Sequence, residues 1–284
     1  MKKIVVPTDF SDASEQALLW AKLLAQPNSA SLTLLHVSQP YIPDTTLPTG
    51  EFGAGVLVAG ELEAVGDEQL KEKAAALQHE GFTCDAIFRI GSVEDEIIDV
   101  SDELNPDLIV MGRHQFDTFF DRLAGSAATD VAMQAHCPVL VVPAPDEDRQ
   151  AAPVQVKHVV YTTQLEFDEN DVLRPVVELA RQFEAKLTLL KVEADNQPNI
   201  YDDSQFLRQI RSEFGQERFH IDKVHADSVS EGLTDYVKHH HVDVLVMATR
   251  ERDFLSRLLN PSLTKRMVTS SPVPLLVYHA KENY

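Results

Sequence analysis

Residues 107–112 read Asp-Leu-Ile-Val-Met-Gly, and residues 243–248 repeat them as Asp-Val-Leu-Val-Met-Ala. The two segments lie 136 residues apart. The same distance separates Cys137-Pro-Val-Leu-Val-Val142 from Val273-Pro-Leu-Leu-Val-Tyr278. A constant distance means that neither copy has an insertion between its two segments. The chain therefore contains an internal repeat, which predicts two copies of one domain.

The repeat reaches back to the amino ends of both copies, with a longer offset. Lys3-Ile-Val-Val6 pairs with Lys157-His-Val-Val160, and Leu32-Thr-Leu-Leu-His-Val37 pairs with Leu187-Thr-Leu-Leu-Lys-Val192, at offsets of 154 and 155 residues. The first copy must therefore hold extra residues, which fall between Ser38 and about Gly60. Because that stretch is rich in Pro, Gly and Thr, the sequence predicts a long surface loop there.

Short apolar runs alternate with amphipathic stretches of helical length in each copy, a pattern typical of βαβ units and a parallel sheet. Runs such as Leu108-Ile-Val-Met111 are apolar at successive positions, as expected for strands covered by helices on both faces. In the first copy the pattern predicts strands near 3–7, 31–37, 83–89, 107–112 and 138–142. It predicts helices near 12–26, 61–80, 93–104 and 124–136.

Two domains follow from this pattern, at residues 1–145 and 154–284. The intervening residues, 146–153, are predicted to be a linker, because the prolines and charges around them cannot continue a central strand. The predicted fold class is α/β, with two tandem five-stranded parallel-sheet domains of Rossmann-like type. Ligands of such sheets bind at the carboxyl ends of the strands, where the strand order reverses.

Composition narrows the function classes. The formal net charge of −20 repels nucleic acid and anionic lipid, so neither nucleic acid nor a membrane is an expected partner. The two cysteines, Cys84 and Cys137, lack metal-ligand spacing and are expected to be small apolar core residues. With no signal-like or membrane-spanning apolar segment, a cytoplasmic location is expected.

A glycine-rich pattern follows the fourth predicted strand: Met111-Gly112-Arg113-His114-Gln115, nine further residues, then Gly125-Ser126 at the start of a predicted helix. Glycine permits close approach of backbone amides to phosphate oxygens, and a serine at a helix start adds a hydroxyl. This segment resembles the Gly-x2-Gly-x9-Gly-Ser/Thr pattern of the universal stress protein family. The resemblance covers nearly the whole chain twice, as in the tandem two-domain type.

The resemblance implies a fold of the adenine nucleotide alpha hydrolase-like type and an ATP site, with Mg²⁺, in the first half. The residues that it assigns to nucleotide binding are Pro7, Asp9, Val37, Met111, Gly112, Gln115, Gly125, Ser126 and Ala127. Gln115 departs from the second glycine; its amide could donate to a phosphate, or its side chain could occupy the pocket. Asp9 could contact the nucleoside or, with Ser11, cap the following helix.

The second copy differs at the equivalent positions. It has Tyr161, Thr163, Ala248, Glu251 and Pro261 where the first copy has Pro7, Asp9, Gly112, Gln115 and Gly125, and only Ser262 matches Ser126. Glu251 would repel a phosphate, and Pro261 lacks an N–H group. We therefore predict that the second half does not bind ATP in the usual way.

Three other clusters have less specific patterns. His239-His240-His241 could chelate a metal, but consecutive residues point in different directions, which favours a solvated loop. The cationic side chains Arg113, His114 and Arg122 could offset phosphate charge, although arginine in a loop is more often solvated. Phe116, Phe119 and Phe120 could form a lid or a partner surface, although ordinary packing is more common.

Three hypotheses for the function result. The first is a stress-response protein that acts as a binding or signalling module, with no catalytic residues and at most one nucleotide site. The second keeps the fold but replaces ATP with another small ligand, or makes the chain an adaptor. The third, a slow ATPase or self-phosphorylating enzyme using Ser126, is less favoured because no base or Mg²⁺ ligand stands out.

The family resemblance also implies a partner arrangement. Members commonly dimerise through their last strands, so the two halves are expected to form a pseudo-dimer within one chain. In that arrangement residues 138–142 would face residues 274–278. A homodimer of the whole chain is a further expectation, and no protein partner is indicated.

Overall fold

The computed structural model describes residues 1–40, 49–113, 127–145, 154–163, 170–195, 203–215, 219–250 and 261–280. The first half contains five strands and four helices within these residues, besides a short 3₁₀ turn. They are β1 (Lys3–Pro7), α1 (Asp12–Ala25), β2 (Ser31–Ser38), α2 (Thr49–His79), β3 (Cys84–Ile90), α3 (Val93–Leu104), β4 (Leu108–Arg113), α4 (Ala127–Gln134) and β5 (Val139–Pro143).

The second half repeats this order. Its elements are β6 (His158–Thr162), α5 (Asn170–Gln182), β7 (Lys186–Ala194), α6 (Asp203–Phe214), β8 (His220–Ala226), α7 (Val229–His239), β9 (Val244–Arg250), α8 (Pro261–Ser270) and β10 (Leu275–Ala280). The predicted alternation of strands and helices is therefore confirmed in both halves. The predicted linker, 146–153, lies outside the described residues, and the domain limits stay a prediction.

One element prediction was wrong. Residues 38–60 do not form one long loop, because α2 already begins at Thr49 and continues to His79. A glycine in a helix costs only about 1 kcal/mol relative to alanine. The later turns of α2 bury Leu70, Ala74 and Leu77 against the sheet. Those packed turns offset the weak helix preference of the glycine-containing turns before them.

All ten strands form a single sheet in the order β3-β2-β1-β4-β5-β10-β9-β6-β7-β8. Strands within each half are parallel. The halves meet where β5 and β10 run antiparallel, with Val141 opposite Leu275 and Val139 opposite Val277. The expected pairing of the two last strands is confirmed, and with it the α/β pseudo-dimer.

Helices cover both faces of the sheet. One apolar cluster joins the sheet to α1, α2, α5 and α6, and the other joins it to α3, α4, α7 and α8. Each cluster includes residues from both halves. The strand run 108–111 is at most 5% exposed, as its uninterrupted apolar pattern predicted. The core is therefore continuous across the junction of the halves.

The cysteines belong to this core. Cys84 is buried within the first cluster, and Cys137 packs against the second. Burial raises the pKa of Cys84 to about 11 and that of Cys137 to about 12, so both thiols stay protonated at neutral pH. Both residues act as small apolar side chains. None of the described helices has the length and hydropathy needed to cross a bilayer.

Candidate ligand cleft

A cleft of about 210 Å³ opens at the carboxyl ends of β1, β2 and β4. Strands β1 and β4 are neighbours at the centre of the first half, and the chain leaves them toward opposite edges of the sheet. This is the reversal point at which open parallel sheets bind ligands. The lining residues come from six elements and their loops: Pro7, Thr8, Asp9, Ser11, Ala13, Ser14, Leu35, Val37, Val93, Ile97, Met111, Gly112, Arg113, Ala127 and Ala128.

The loop between β1 and α1 forms one rim of the cleft. Ser11 is the N-cap of α1, and its hydroxyl accepts a hydrogen bond from the Ser14 N–H at 3.3 Å. The Asp9 carboxylate accepts from the Ser11 N–H at 3.1 Å and also from the Ser11 hydroxyl. Asp9 therefore supports the cap, and its exposed side chain also lines the cleft. Its contact with a nucleoside stays a prediction.

A histidine holds this loop against the sheet. The Nδ1–H group of His36 donates to the Thr8 carbonyl at 2.7 Å, and the Thr8 N–H donates to the Leu35 carbonyl at 2.8 Å. The His36 ring lies between Phe10 and Phe88, with centroid distances of 4.7 and 5.7 Å. Phe10 adopts a left-handed conformation with φ of 64°, which is uncommon outside glycine. These contacts fix the rim in the position seen.

Gly112 has a packing role in the cleft wall. A Cβ atom at this position would lie 2.3 Å from the Ala13 carbonyl oxygen and 2.8 Å from the Ser14 nitrogen. Those atoms belong to the first turn of α1. The sequence pattern indicated that Gly112 allows a phosphate to come close to the backbone. The structure shows that the close approach of α1 already requires a glycine at this position. A contact between Gly112 and a phosphate stays a prediction.

Arg113 does not have the solvated position expected of it. Its guanidinium is only 8% exposed and donates to the carbonyls of Thr269 and Ser271, at 2.8 and 2.7 Å. These carbonyls belong to the carboxyl end of α8 in the other half, where the helix dipole favours a cation. The expectation of a solvated loop arginine is therefore wrong, because an inter-domain contact holds the side chain.

Six of the nine predicted site residues meet at the cleft: Pro7, Asp9, Val37, Met111, Gly112 and Ala127. The other three, Gln115, Gly125 and Ser126, lie outside the described residues. The described residues on either side of 114–126, Arg113 and Ala127, both line the cleft. Sequence reasoning missed Val93 and Ile97, whose position at the start of α3 could have indicated them.

At the equivalent position of the second half, the described residues enclose much less space. The space at this position measures about 10 Å³ and is lined by Thr162, Thr163, Leu190, Val192, Val229, Leu233, Met247 and Leu263. Most of these residues match their counterparts in size, as Val192 matches Val37 and Met247 matches Met111. Leu263 stands where the first half has Ala127, and its larger side chain takes up part of the space. Glu251 lies outside the described residues.

The histidine run is placed at the end of α7. His239 is its last residue, and the ring of His240 stacks on Tyr236 with a centroid distance of 3.9 Å. All three histidines are exposed. Within the described part of the chain, no cluster of three or more His, Cys, Asp or Glu side chains could hold a metal ion. His114, Arg122 and the phenylalanines at 116, 119 and 120 lie outside the described residues.

Comparison with known proteins gives matches to both halves. The model of the "Universal stress protein family" matches residues 1–143 and 149–279. A universal stress protein of Methanocaldococcus jannaschii is 33% identical over 147 residues, which cover 52% of this chain and 85% of that protein. One from Bacillus subtilis is 31% identical over 147 residues, covering 49% of this chain and 97% of the relative.

A solved structure matches the whole length. The crystal structure of a universal stress protein from Archaeoglobus fulgidus aligns with a TM-score of 0.72, covering 98% of each chain at 18% sequence identity. At this identity the likeness concerns the fold alone. It includes both halves, so a tandem arrangement of this kind occurs in that protein as well.

Proposed function

Since the chain belongs to the universal stress protein family, we propose that it is a cytoplasmic stress-response protein, a binding and signalling module that takes one adenine nucleotide in its first half. One observation carries this proposal: the first half has a cleft of about 210 Å³ at its strand reversal point, and the second half has about 10 Å³ there. In this proposal the first half binds the nucleotide, and the second half holds Arg113 of the cleft wall in place.

The described cleft residues fit the nucleoside part of ATP. Leu35, Val37 and Ile97 provide an apolar wall for a flat base. The exposed carboxylate of Asp9 can accept hydrogen bonds from ribose hydroxyls. Arg113 is engaged by carbonyls of the second half. The proposal therefore assigns the phosphates and Mg²⁺ to Gln115, Gly125 and Ser126.

Calorimetric titration of the full chain with ATP and Mg²⁺ tests the proposal. We expect one site per chain with micromolar affinity. The variant Ala127→Leu copies the second half's residue into the cleft and should abolish binding, because the added side chain occupies the nucleoside's space. The matched control Gln134→Leu adds a leucine to an exposed position of the same helix and should bind like the parent protein.

Two results would contradict the proposal. One is the absence of ATP binding to the parent protein after removal of any co-purified ligand. The other is unchanged binding to Ala127→Leu when its circular dichroism and melting temperature match those of the parent. The second result would place the nucleotide elsewhere.

The charges of the cleft favour a second candidate, an uncharged ligand in the same place. Asp9 and Arg113 are the charged residues among the described lining residues, and Arg113 already binds two carbonyls. Adenosine and ATP should therefore be titrated side by side. Equal affinity would mean that the phosphates are not recognised. If neither binds, the adaptor hypothesis gains support.

A further inference from the structure

A second cavity, of about 240 Å³, lies at the junction of the two halves. It is enclosed by α1 and α5 over the antiparallel pair β5–β10. Its walls are made of equivalent positions from the two halves: Trp20 and Pro175, Leu24 and Leu179, Leu108 and Val244, and Leu140 and Leu276. The cavity, which we call the seam cavity, therefore lies on the pseudo-twofold axis that relates the halves.

The seam cavity is asymmetric although the fold around it is not. Trp20 on α1 faces a position where α5 has the small ring of Pro175. Tyr278 on β10 lines the cavity, and its counterpart on β5 is Val142. In a homodimer, both members of each pair would be the same residue. Fusion into one chain allows a large aromatic side chain on one side and space on the other.

Two hydrogen-bond donors belong to residues that line these apolar walls. They are the indole N–H of Trp20, a residue that is only 7% exposed, and the hydroxyl of Tyr278. Buried Trp and Tyr side chains usually find a hydrogen-bond partner. An apolar cavity with a few polar groups is the usual form of a small-molecule site.

Two carboxylates line the seam cavity beside Met1, whose amino group acts on the nearer one, Asp107. Asp107 and Glu178 both line the seam cavity. Asp107 accepts hydrogen bonds from the backbone N–H groups of Lys2 and Lys3, which favours its ionised form. Burial, together with the Glu178 carboxylate, raises the pKa of Tyr278, so its hydroxyl stays protonated and able to donate. Beside Tyr278, the Glu178 carboxylate disfavours an anion, and the Tyr278 hydroxyl can donate a hydrogen bond to an uncharged acceptor oxygen.

We propose that the seam cavity binds a small uncharged aromatic molecule that carries an oxygen acceptor and has the size of two fused rings. A cavity of about 150 Å³ holds benzene, so about 240 Å³ leaves space for a second ring. The ligand's rings lie against Trp20 and the leucines, and its oxygen accepts from the Tyr278 hydroxyl or the Trp20 indole. This site is separate from the cleft of the first half.

The probe for the test is 2-naphthol, with the anion 2-naphthoate as its charged analogue. Trp20 is the only tryptophan in the chain, so its single indole N–H resonance reports on the cavity without further labelling. We expect 2-naphthol to shift this resonance with the same saturation curve that calorimetry gives. We expect no saturable binding of 2-naphthoate at the same concentrations.

Three variants locate the probe. Pro175→Leu narrows the cavity while removing a helix-interior proline, so α5 should remain folded and binding should be lost. Tyr278→Phe should weaken binding about fivefold, the equivalent of one hydrogen bond. Arg181→Leu, at an exposed position of the same helix, should bind like the parent.

The proposal would be overturned if 2-naphthol gave neither heat nor an indole shift. Unchanged binding to folded Pro175→Leu would overturn it too. Ala127→Leu serves as a further control, because it alters only the cleft of the first half. Loss of 2-naphthol binding in that variant, with binding retained in Pro175→Leu, would place the probe in the cleft and refute the seam site.

Discussion

The two halves share one fold and differ in their crevices. Both have the same strand order, and both have a valine and a methionine in the crevice wall, as Val37 and Met111 or as Val192 and Met247. Yet one crevice measures about 210 Å³ and the other about 10 Å³. The strands alone therefore do not make the site. Among the described lining residues, the clearest difference in size lies at the start of one flanking helix, where Ala127 corresponds to Leu263.

The half with the filled crevice contributes to the other half. The carboxyl end of its helix α8 accepts both hydrogen bonds of Arg113, a residue of the open cleft's wall. In the opposite direction, the His279 ring is 3.0 Å from the Ala132 carbonyl of α4. Each half therefore donates hydrogen bonds to backbone carbonyls of the other. Four predictions test how the two halves differ.

The largest effect is expected at Arg113. Arg113→Ala removes two hydrogen bonds from a charged donor, each worth about 1.5–3 kcal/mol, and should lower the free energy of unfolding by about 3 kcal/mol. Urea titration measures the change. Arg89→Ala is the control, because Arg89 forms an exposed ion pair with Glu103 whose loss should cost under about 1 kcal/mol. Equal losses in both variants would mean that the inter-domain contact contributes little.

The next largest effect is a difference in stability between substitutions in β4 and in β9, the equivalent strands that end at the two crevices. Gly112→Ala places a Cβ atom 2.3 Å from the Ala13 carbonyl oxygen and should cost about 2–3 kcal/mol, as overpacking does. The reciprocal change, Ala248→Gly, should cost under about 1 kcal/mol, through added chain freedom. Thermal unfolding of both variants checks the contrast. Similar melting temperatures would show that α1 can move away.

Leu263→Ala tests whether the closed crevice can be reopened. Because Leu263 is only partly buried, its truncation should cost about 1–2 kcal/mol, at or below the low end for buried leucines. The ATP stoichiometry should stay at one per chain, since Tyr161, Thr163 and Pro261 remain. Thermal unfolding measures the loss of stability, and calorimetric titration of this variant beside Ala127→Leu measures the ATP stoichiometry. A second binding site would show that this one leucine closes the crevice to nucleotide.

The smallest effect concerns a feature that the halves share. Asp107 accepts from the N–H groups of Lys2 and Lys3, and Asp243 accepts from those of Lys157 and His158. Burial acts to raise the pKa of Asp107, but the two N–H groups and nearby positive charges outweigh it, so the pKa is lowered from its ordinary value. The stabilisation by Asp107 is present above about pH 4 and is lost as the pH falls through the folded-state pKa.

Asp107→Asn should therefore cost under about 1 kcal/mol between about pH 5 and 7, because the carboxylate is exposed to solvent. The difference from the parent should shrink below about pH 4. Denaturant titrations at acidic and neutral pH measure it, with Asp243→Asn as the matched variant of the other half. A difference that grows toward low pH would mean that folding raises the pKa of Asp107 instead of lowering it.

The repeat made most of the fold predictable. Uninterrupted apolar runs such as 108–111 identify central strands because they are buried on both faces. The loop prediction for 38–60 failed because composition reports local preference, whereas the start of α2 at Thr49 depends on packing of its later turns. Local pattern thus located the strands better than it located the beginning of this long helix.

The candidate site was only partly predictable. Residues at strand ends, such as Asp9 and Met111, could be assigned because parallel strands bring their ends together. The partners of Arg113 could not, since they lie 156 and 158 residues away in the chain and belong to the other half. The effect of Leu263 also needed the structure, because its importance depends on which way the start of α8 faces.

The antiparallel pair β5–β10 has a consequence for partner choice. An unpaired last strand would offer its backbone groups to the same strand of any related protein in the cell. Here the two strands saturate each other, and tethering gives each half a high local concentration of its partner. Neither β5 nor β10 therefore presents a free edge to the last strand of a single-domain relative.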